Sequence, residues 1–499
     1  MRSQYSAAMS IWRNRTVDSD HPEPRRDVGF IIYAVILLSV ICLVPIVRLL
    51  FLSLVSPSAS SVLASPVAER TAFAVAVIVC VTALWGGRFQ GPATLPPFLT
   101  YALAGSDIPR LLTYRRPLLI AASWVLGMLT AASILVAASM WTTDIIFALD
   151  AALVVVSWIC TATVVFCLWV TSQTFPRASA VSAILLLLVG GCVLFVPGLW
   201  QGWPAEILSS GPGTVIALIT WAALAVVGVC CLPRMLEAQR FDDLLKRSIR
   251  LAQAQAQVFI MEFGQASSIY REPPRLLRRM KAVRPSRHVW ITIAISDLYA
   301  SLRSPIRLLT SLVCVLGAGL LVGLGSSLGP LAALLGLGAG ALSYMGVGPL
   351  ADGLRHGAAQ VSDLPLYGIS DRFLISVHAI FPIVVSGVVT TIGGLIGVQL
   401  TSGSILQVLV SSVGLSVLTV ASILMSALKG PMPVQFLTSV PSPMGDPMVL
   451  TRAMWALDGL LTAIAAGMAV AALPTAPALT VVVAGIPLVL ILRRWRYRG

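Results

Sequence analysis

Twelve stretches of about 20 apolar residues, each bounded by polar or basic connectors, leave this chain few ways to fold. They run over about 29–52, 70–87, 117–140, 146–170, 178–199, 213–234, 306–328, 330–349, 374–400, 404–428, 450–473 and 475–492. Hydrocarbon offers no partner to a backbone N–H or C=O, so only helices and closed barrels cross it. The alternating ~10-residue segments of a barrel are absent, and the expected fold is an all-α polytopic membrane protein with 12 transmembrane helices. Composition agrees: only 11% of residues are charged, against roughly 25% in a soluble domain.

Charge sets the expected orientation. The net charge of +14 does not mark a nucleic-acid face, because the basic residues lie between the apolar runs. With the N-terminus inside, every Lys and Arg except Arg48 and Arg70 falls on the cytoplasmic side, as the positive-inside rule requires. Both termini are then cytoplasmic.

The basic stretch 235–305 divides the spans into two six-span halves, 29–234 and 306–492, flanked by an interfacial segment 1–28 and a basic tail 493–499. Within that stretch Phe241 to Phe263 reads as helix, and Glu272-Pro273-Pro274 as a break. His288 to Arg303 reads as an interfacial helix on the inner leaflet, and residues 3–13 could serve the first half similarly.

Several chemistries are disfavoured. A P-loop needs a lysine behind its glycines, and none of Lys246, Lys281 and Lys429 follows Gly-x4-Gly. His21, His288, His356 and His378 are scattered, and no Cys-x-x-Cys occurs, so neither a metal site nor a nucleophilic relay is expected. Within spans, Asp150 and Asp458 could carry protons or could cap neighbouring helices. Gln399 and Gln407 could line a pathway, or belong with Thr390, Ser411, Ser412 and Ser416 to a packed interface. Gly319-x3-Gly323, Gly325-x3-Gly329 and Gly336-x3-Gly340 read as close packing between spans seven and eight or across the seam between the halves, in preference to a glycine-lined substrate path.

One element occurs twice. Ser106, Asp107, Pro109, Arg116 and Leu118 align without a gap on Ser362, Asp363, Pro365, Arg372 and Leu374. Each copy follows a Gly-Pro (Gly91-Pro92, Gly348-Pro349) and runs into a third span. Before the second copy, residues 350–361 suit a short helix with Pro349 at its start, including Asp352 and Arg355; Ala93 to Gly105 is the first-half counterpart. Ser370 suits the N-cap of the next span. A stiff helix parallel to the membrane and tied to the ends of spans is a lever.

Here the chain resembles the membrane-spanning permease subunit of an ATP-binding-cassette exporter of the type-2 class. Leu364-Pro365, Ser370, Arg372 and Leu374 match that family's Leu-Pro-x-x-x-Ser-x-Arg-x-Leu run, with one extra residue before the serine. Ile108-Pro109, Arg116 and Leu118 match it with Tyr114 in the serine's place. The acidic residue often found at the start of the family's coupling helix is not evident. The resemblance implies fused permease halves in a bacterial cytoplasmic membrane, exporting a hydrophobic or amphipathic substrate. Separate ATPase subunits, two copies or a heteropair, would bind ATP and Mg and dock on coupling helices near 93–105 and 350–362. The residues it points to are Asp107, Pro109, Arg116, Asp352, Arg355, Asp363, Pro365 and Arg372. The chain itself would hold no cofactor and catalyse nothing. The rival readings are a proton-coupled 12-span carrier of the major facilitator type and a membrane scaffold without transport.

Overall fold

The computed structural model describes residues 33, 36–37, 39–195, 212–261, 263–271, 286–327, 331–361, 368–401, 403–430, 432–438 and 448–496. Among them every regular element is helical. Eleven helices are long and apolar enough to cross a membrane; a twelfth span exists if Ser39–Val55 and Pro57–Leu63, which meet at 70°, count as one. The chain is an all-helical polytopic membrane protein. It divides near residues 260–271 into two compact units, and the stretch 235–305 is shared between them.

The first unit begins with a π-helical turn, Ser39–Leu43, that runs into α1 (Val44–Val55), then α2 (Pro57–Leu63) and α3 (Pro66–Gly86). The bend between α1 and α2 falls at Ser56, whose ψ of 149° is what a following proline imposes. The short α4 (Pro97–Ala104) and α5 (Arg110–Thr113) precede the spans α6 (Arg115–Thr142), α7 (Ala148–Thr174), α8 (Pro176–Phe195) and α9 (Pro212–Glu237). Outside the spans, α10 (Phe241–Phe259) is strongly amphipathic, burying Leu244, Ser248 and Ala254. A further short helix, α11 (Phe263–Ser268), follows.

The second unit holds the apolar α12 (Val289–Leu302), where the sequence predicts an interfacial helix, and the spans α13 (Pro305–Gly325) and α14 (Ala332–Leu350). Next come the short α15 (Asp352–Ala359), the spans α16 (Asp371–Thr401) and α17 (Ile405–Ala427), and the single turn α18 (Val434–Leu437). The spans α19 (Met448–Ala471) and α20 (Pro477–Arg496) complete it. Ser370 precedes α16, and its Oγ accepts a long bond from Phe373 N at 3.4 Å.

Two expectations need correction. Pro349 does not start the short helix: it lies in the last turn of α14, and Ala351 N still donates to Val347 O at 3.0 Å. The short helix starts at Asp352, so it does begin with an acidic residue. Of the repeat glycines, Gly325 faces Ala332 of α14, where a Cβ would lie 3.5 Å away, but Gly319, Gly323, Gly336 and Gly340 do not pair spans seven and eight. A Cβ at Gly319 would lie 2.1 Å from Thr390 O of α16, and one at Gly340 would lie 2.2 Å from Ala463 O of α19. Small residues thus let α13 approach α16 and α14 approach α19, because a lipid-solvated bundle gains its cohesion from backbone proximity and dispersion.

In the second unit one end of the bundle gathers the start of α13, the end of α14, the start of α16 and the end of α17. Their contact is a core of Val315, Val347, Ala351, Leu354, Ala358, Ile375, Val420, Ile423 and Leu428. The basic residues bordering these spans, from Arg307 to Arg494, lie toward this end.

The packing makes a test. Gly319→Val and Gly340→Val should each lower the thermal unfolding midpoint of the detergent-purified protein, by strain of roughly 1–3 kcal/mol. Gly387→Ala, where an added Cβ meets nothing within 4 Å, should leave the midpoint unchanged or raise it.

Candidate functional site

Of the sequence candidates, Asp352 and Arg355 come together on α15. Asp352, the first residue of the helix, receives three guanidinium groups. Arg307, in the first turn of α13, donates through both terminal nitrogens, Nη2 to Oδ1 at 3.0 Å and Nη1 to Oδ2. Arg271 Nη2 donates to Oδ1 at 3.2 Å, and Arg355, one turn further along α15, stands 4.0 Å away. A bidentate arginine–carboxylate pair is short and directional, so it fixes orientation as well as distance. The helix N-terminus favours the carboxylate as well.

The next residue explains itself. Gly353 abuts a half-buried pair in which His378 Nδ1 and Asp297 Oδ2 are 2.8 Å apart, His378 on α16 and Asp297 on α12. A Cβ at position 353 would sit 2.3 Å from Asp297 Oδ1 and 2.7 Å from His378 Nδ1. Behind it, Leu354 and Ala358 are buried in the core formed by the span ends. An eight-residue helix is therefore held by a charge clamp, a glycine contact and an apolar face to α12, α13, α14, α16 and α17. A cavity of about 40 Å³ lies beside the clamp, lined by Asp297, Ser301, Ser304, Arg307 and Asp352; that is room for a few water molecules. The opposite face of α15 presents His356 and Ala359, with Arg355 at its edge.

In the first unit α4 is held by other means. Its Leu99 and Leu103 pack with Ile108 and Leu95. Gln173, in the last turn of α7, accepts from Ala93 N at 3.0 Å and donates to Ala93 O at 2.8 Å, wholly buried. Trp169 Nε1 donates to Gln90 O at 2.9 Å. Gly91 is needed there, since a Cβ would come 2.0 Å from Gln173 Oε1. Past α4, Arg110 donates its backbone N–H to Glu237 Oε1 at 2.7 Å. Its guanidinium donates to the carbonyls of Leu236 at 3.1 Å, Glu237 at 3.0 Å and Gln239, capping the C-terminus of α9.

The remaining sequence candidates are dispersed. Asp107 and Pro109 are exposed in the turn between α4 and α5, and Arg116 and Arg372 are exposed at the second residues of α6 and α16. Asp363 and Pro365 lie outside the described residues. Asp150 is partly buried in the first turn of α7, where a helix N-terminus favours a carboxylate. Gln399 is exposed near the end of α16, and Gln407 is half-buried in the first turn of α17. Thr390, Ser411, Ser412 and Ser416 are buried between helices, Thr390 Oγ1 lying 3.4 Å from Ser416 Oγ, which is an interface rather than a lined path.

Asp458 is committed structurally. Its carboxylate accepts from Lys429 Nζ at 2.9 Å, Arg494 Nη2 at 2.7 Å and Gly459 N at 2.7 Å. Lys429 stands 4.1 Å from the centre of the Trp455 ring and donates to Trp455 O. Arg494 donates to Met425 O at 2.5 Å. Burial holds the Lys429 ammonium below its ordinary range, against the pull of Asp458. One carboxylate thereby joins α19, the end of α17 and the end of α20. Gln173, Arg110, Asp297, Arg307 and His378 were not among the sequence candidates. Their only signal was a polar side chain within or beside an apolar run.

Comparison with protein-family models, curated proteins and solved structures found no match.

The Asp458 cluster can be checked directly. Asp458→Ala strands two largely buried cations and should cost roughly 3–5 kcal/mol, read as a fall in the unfolding midpoint in detergent. Arg494→Ala leaves Lys429 on the carboxylate and should cost less.

Proposed function

We propose that this chain is the membrane-spanning permease subunit of an ATP-binding-cassette exporter, in which α4 and α15 are the levers on which separate ATPase subunits act. The observation that carries the reading is α15: a helix too short and polar to enter the bilayer, yet tied to the ends of four spans. A force on its free face reaches α13 through the Asp352–Arg307 pair and α16 through Gly353 and His378. The apolar spans suit a hydrophobic or amphipathic cargo. The positive-inside rule assigns the basic end of the bundle to the cytoplasm, which would put both chain termini there, as in a bacterial inner membrane.

ATP and Mg would be bound by the partner, consistent with the lack of a lysine-bearing glycine loop in the sequence. The proton-coupled alternative is less well supported, because the carboxylate of Asp458 is committed to Lys429 and Arg494 as a tie between three helices.

Purification from native membranes should bring a nucleotide-binding polypeptide with the chain; its absence under mild detergent would remove the proposal. In inverted vesicles the complex should accumulate a fluorescent amphipathic dye when supplied with ATP. A protonophore should leave that accumulation intact. Arg307→Ala should lower the accumulation on the order of tenfold, the size of a coupling free energy of 1–2 kcal/mol, while ATP hydrolysis persists. Equal loss of both activities would point to simple misfolding.

A further inference from the structure

Resting on that reading, we infer that the two levers are gripped by two chemically different ATPase subunits, one with an apolar hollow for α4 and one with an acidic surface for α15. The two helices have the same length and opposite character. Of the eight residues of α4 none is charged, and two aromatic rings project from it, Phe98 38% and Tyr101 68% exposed. They are three positions apart and so share one face of the helix.

That face lies beside the start of α10. The Tyr101 ring lies 6.1 Å from Phe241, at the start of α10, and a Cβ at Gly105 would lie 3.6 Å from the same Phe241 ring. Exposed Asp242, Asp243, Lys246 and Arg250 give α10 a polar surface near this contact. Aromatic side chains left exposed in a polar setting mark sites where a partner supplies the missing apolar contact.

On α15 no large apolar side chain is exposed. Its free face carries His356 and Ala359, and His356 Nε2 lies 3.0 Å from Gln360 Nε2. At its root one carboxylate meets three guanidinium groups, so the surface keeps a surplus of positive charge with Arg355 at its edge. A partner groove lined to receive two aromatic rings would cover three guanidinium groups that share one carboxylate and add no counter-charge, although Arg355 keeps its contacts to Asp352 and Gly348 O. An acidic groove would in turn find nothing to pair with on α4. A homodimer offers the same groove twice and can complement only one lever well.

The test uses the full chain in its native membrane, with a photoreactive phenylalanine analogue placed at Tyr101 or at His356. Cross-linked products are identified by mass spectrometry. Two different nucleotide-binding polypeptides, one per position, are expected. Added Tyr101→Asp should reduce capture from a second probe at Phe98 about tenfold and leave capture at His356 unaltered. The same polypeptide at both positions would overturn this inference and leave the proposed function standing. Lipid alone at position 101, with an ATPase at 356, would also overturn the inference only. No nucleotide-binding polypeptide at either position would overturn both.

Discussion

Hydrocarbon denies a backbone amide any partner but another part of the same helix, and the rest of this structure follows from that deficit. Spans that satisfy themselves internally gain nothing from hydrophobic segregation among lipid tails, so they must cohere by close approach. The glycines of α13 and α14 provide it against α16 and α19. Rigid, self-satisfied spans also cannot be deformed in their middles at low cost. Movement has to be imposed at their ends, where polar side chains and short connections exist.

The ends of the second unit's spans carry such side chains. Asp352 and Asp458 each hold two or more cations: Asp352 joins α15 to α13 and to Arg271 before α12, and Asp458 joins α19 to the ends of α17 and α20. They differ in consequence. Asp458 lies within α19 and knits three spans into a block. Asp352 starts a helix whose other face is open, so on the proposed reading its clamp would transmit a force applied to that face. The first unit reaches a similar arrangement without a clamp: Gln173 holds the entry to α4, and Arg110 ties its exit to the end of α9. On the proposed reading these are two constructions of one lever, one neutral and aromatic, one cationic.

The spans were legible because about 20 consecutive apolar residues have few alternatives, and α6, α7, α13, α17 and α19 begin and end within a few residues of the expected limits. Partnerships were less legible. An i, i+4 glycine pair announces that something approaches closely, but Gly319 alone cannot say that it is Thr390 of α16. Asp352 was a candidate, while Arg307 and Arg271 lie 45 and 81 positions away and carry no local mark. His378 and Asp297, also 81 apart, are two polar residues in apolar surroundings whose meaning appears only when α12 and α16 meet. Pro349 misled because proline suits the first turn of a helix, yet the last turn of α14 accommodates it too.

The account stands on α15 being an inner-face lever held by an ATP-driven partner. The most direct measurement is labelling of Ala359→Cys, in a background without the native cysteines, by a membrane-impermeant maleimide. Labelling should occur in inside-out vesicles and not in sealed right-side-out ones, and the co-purifying ATPase should slow it in a manner that ATP alters. Labelling from the external side, or a rate indifferent to the partner and to ATP, would contradict the account.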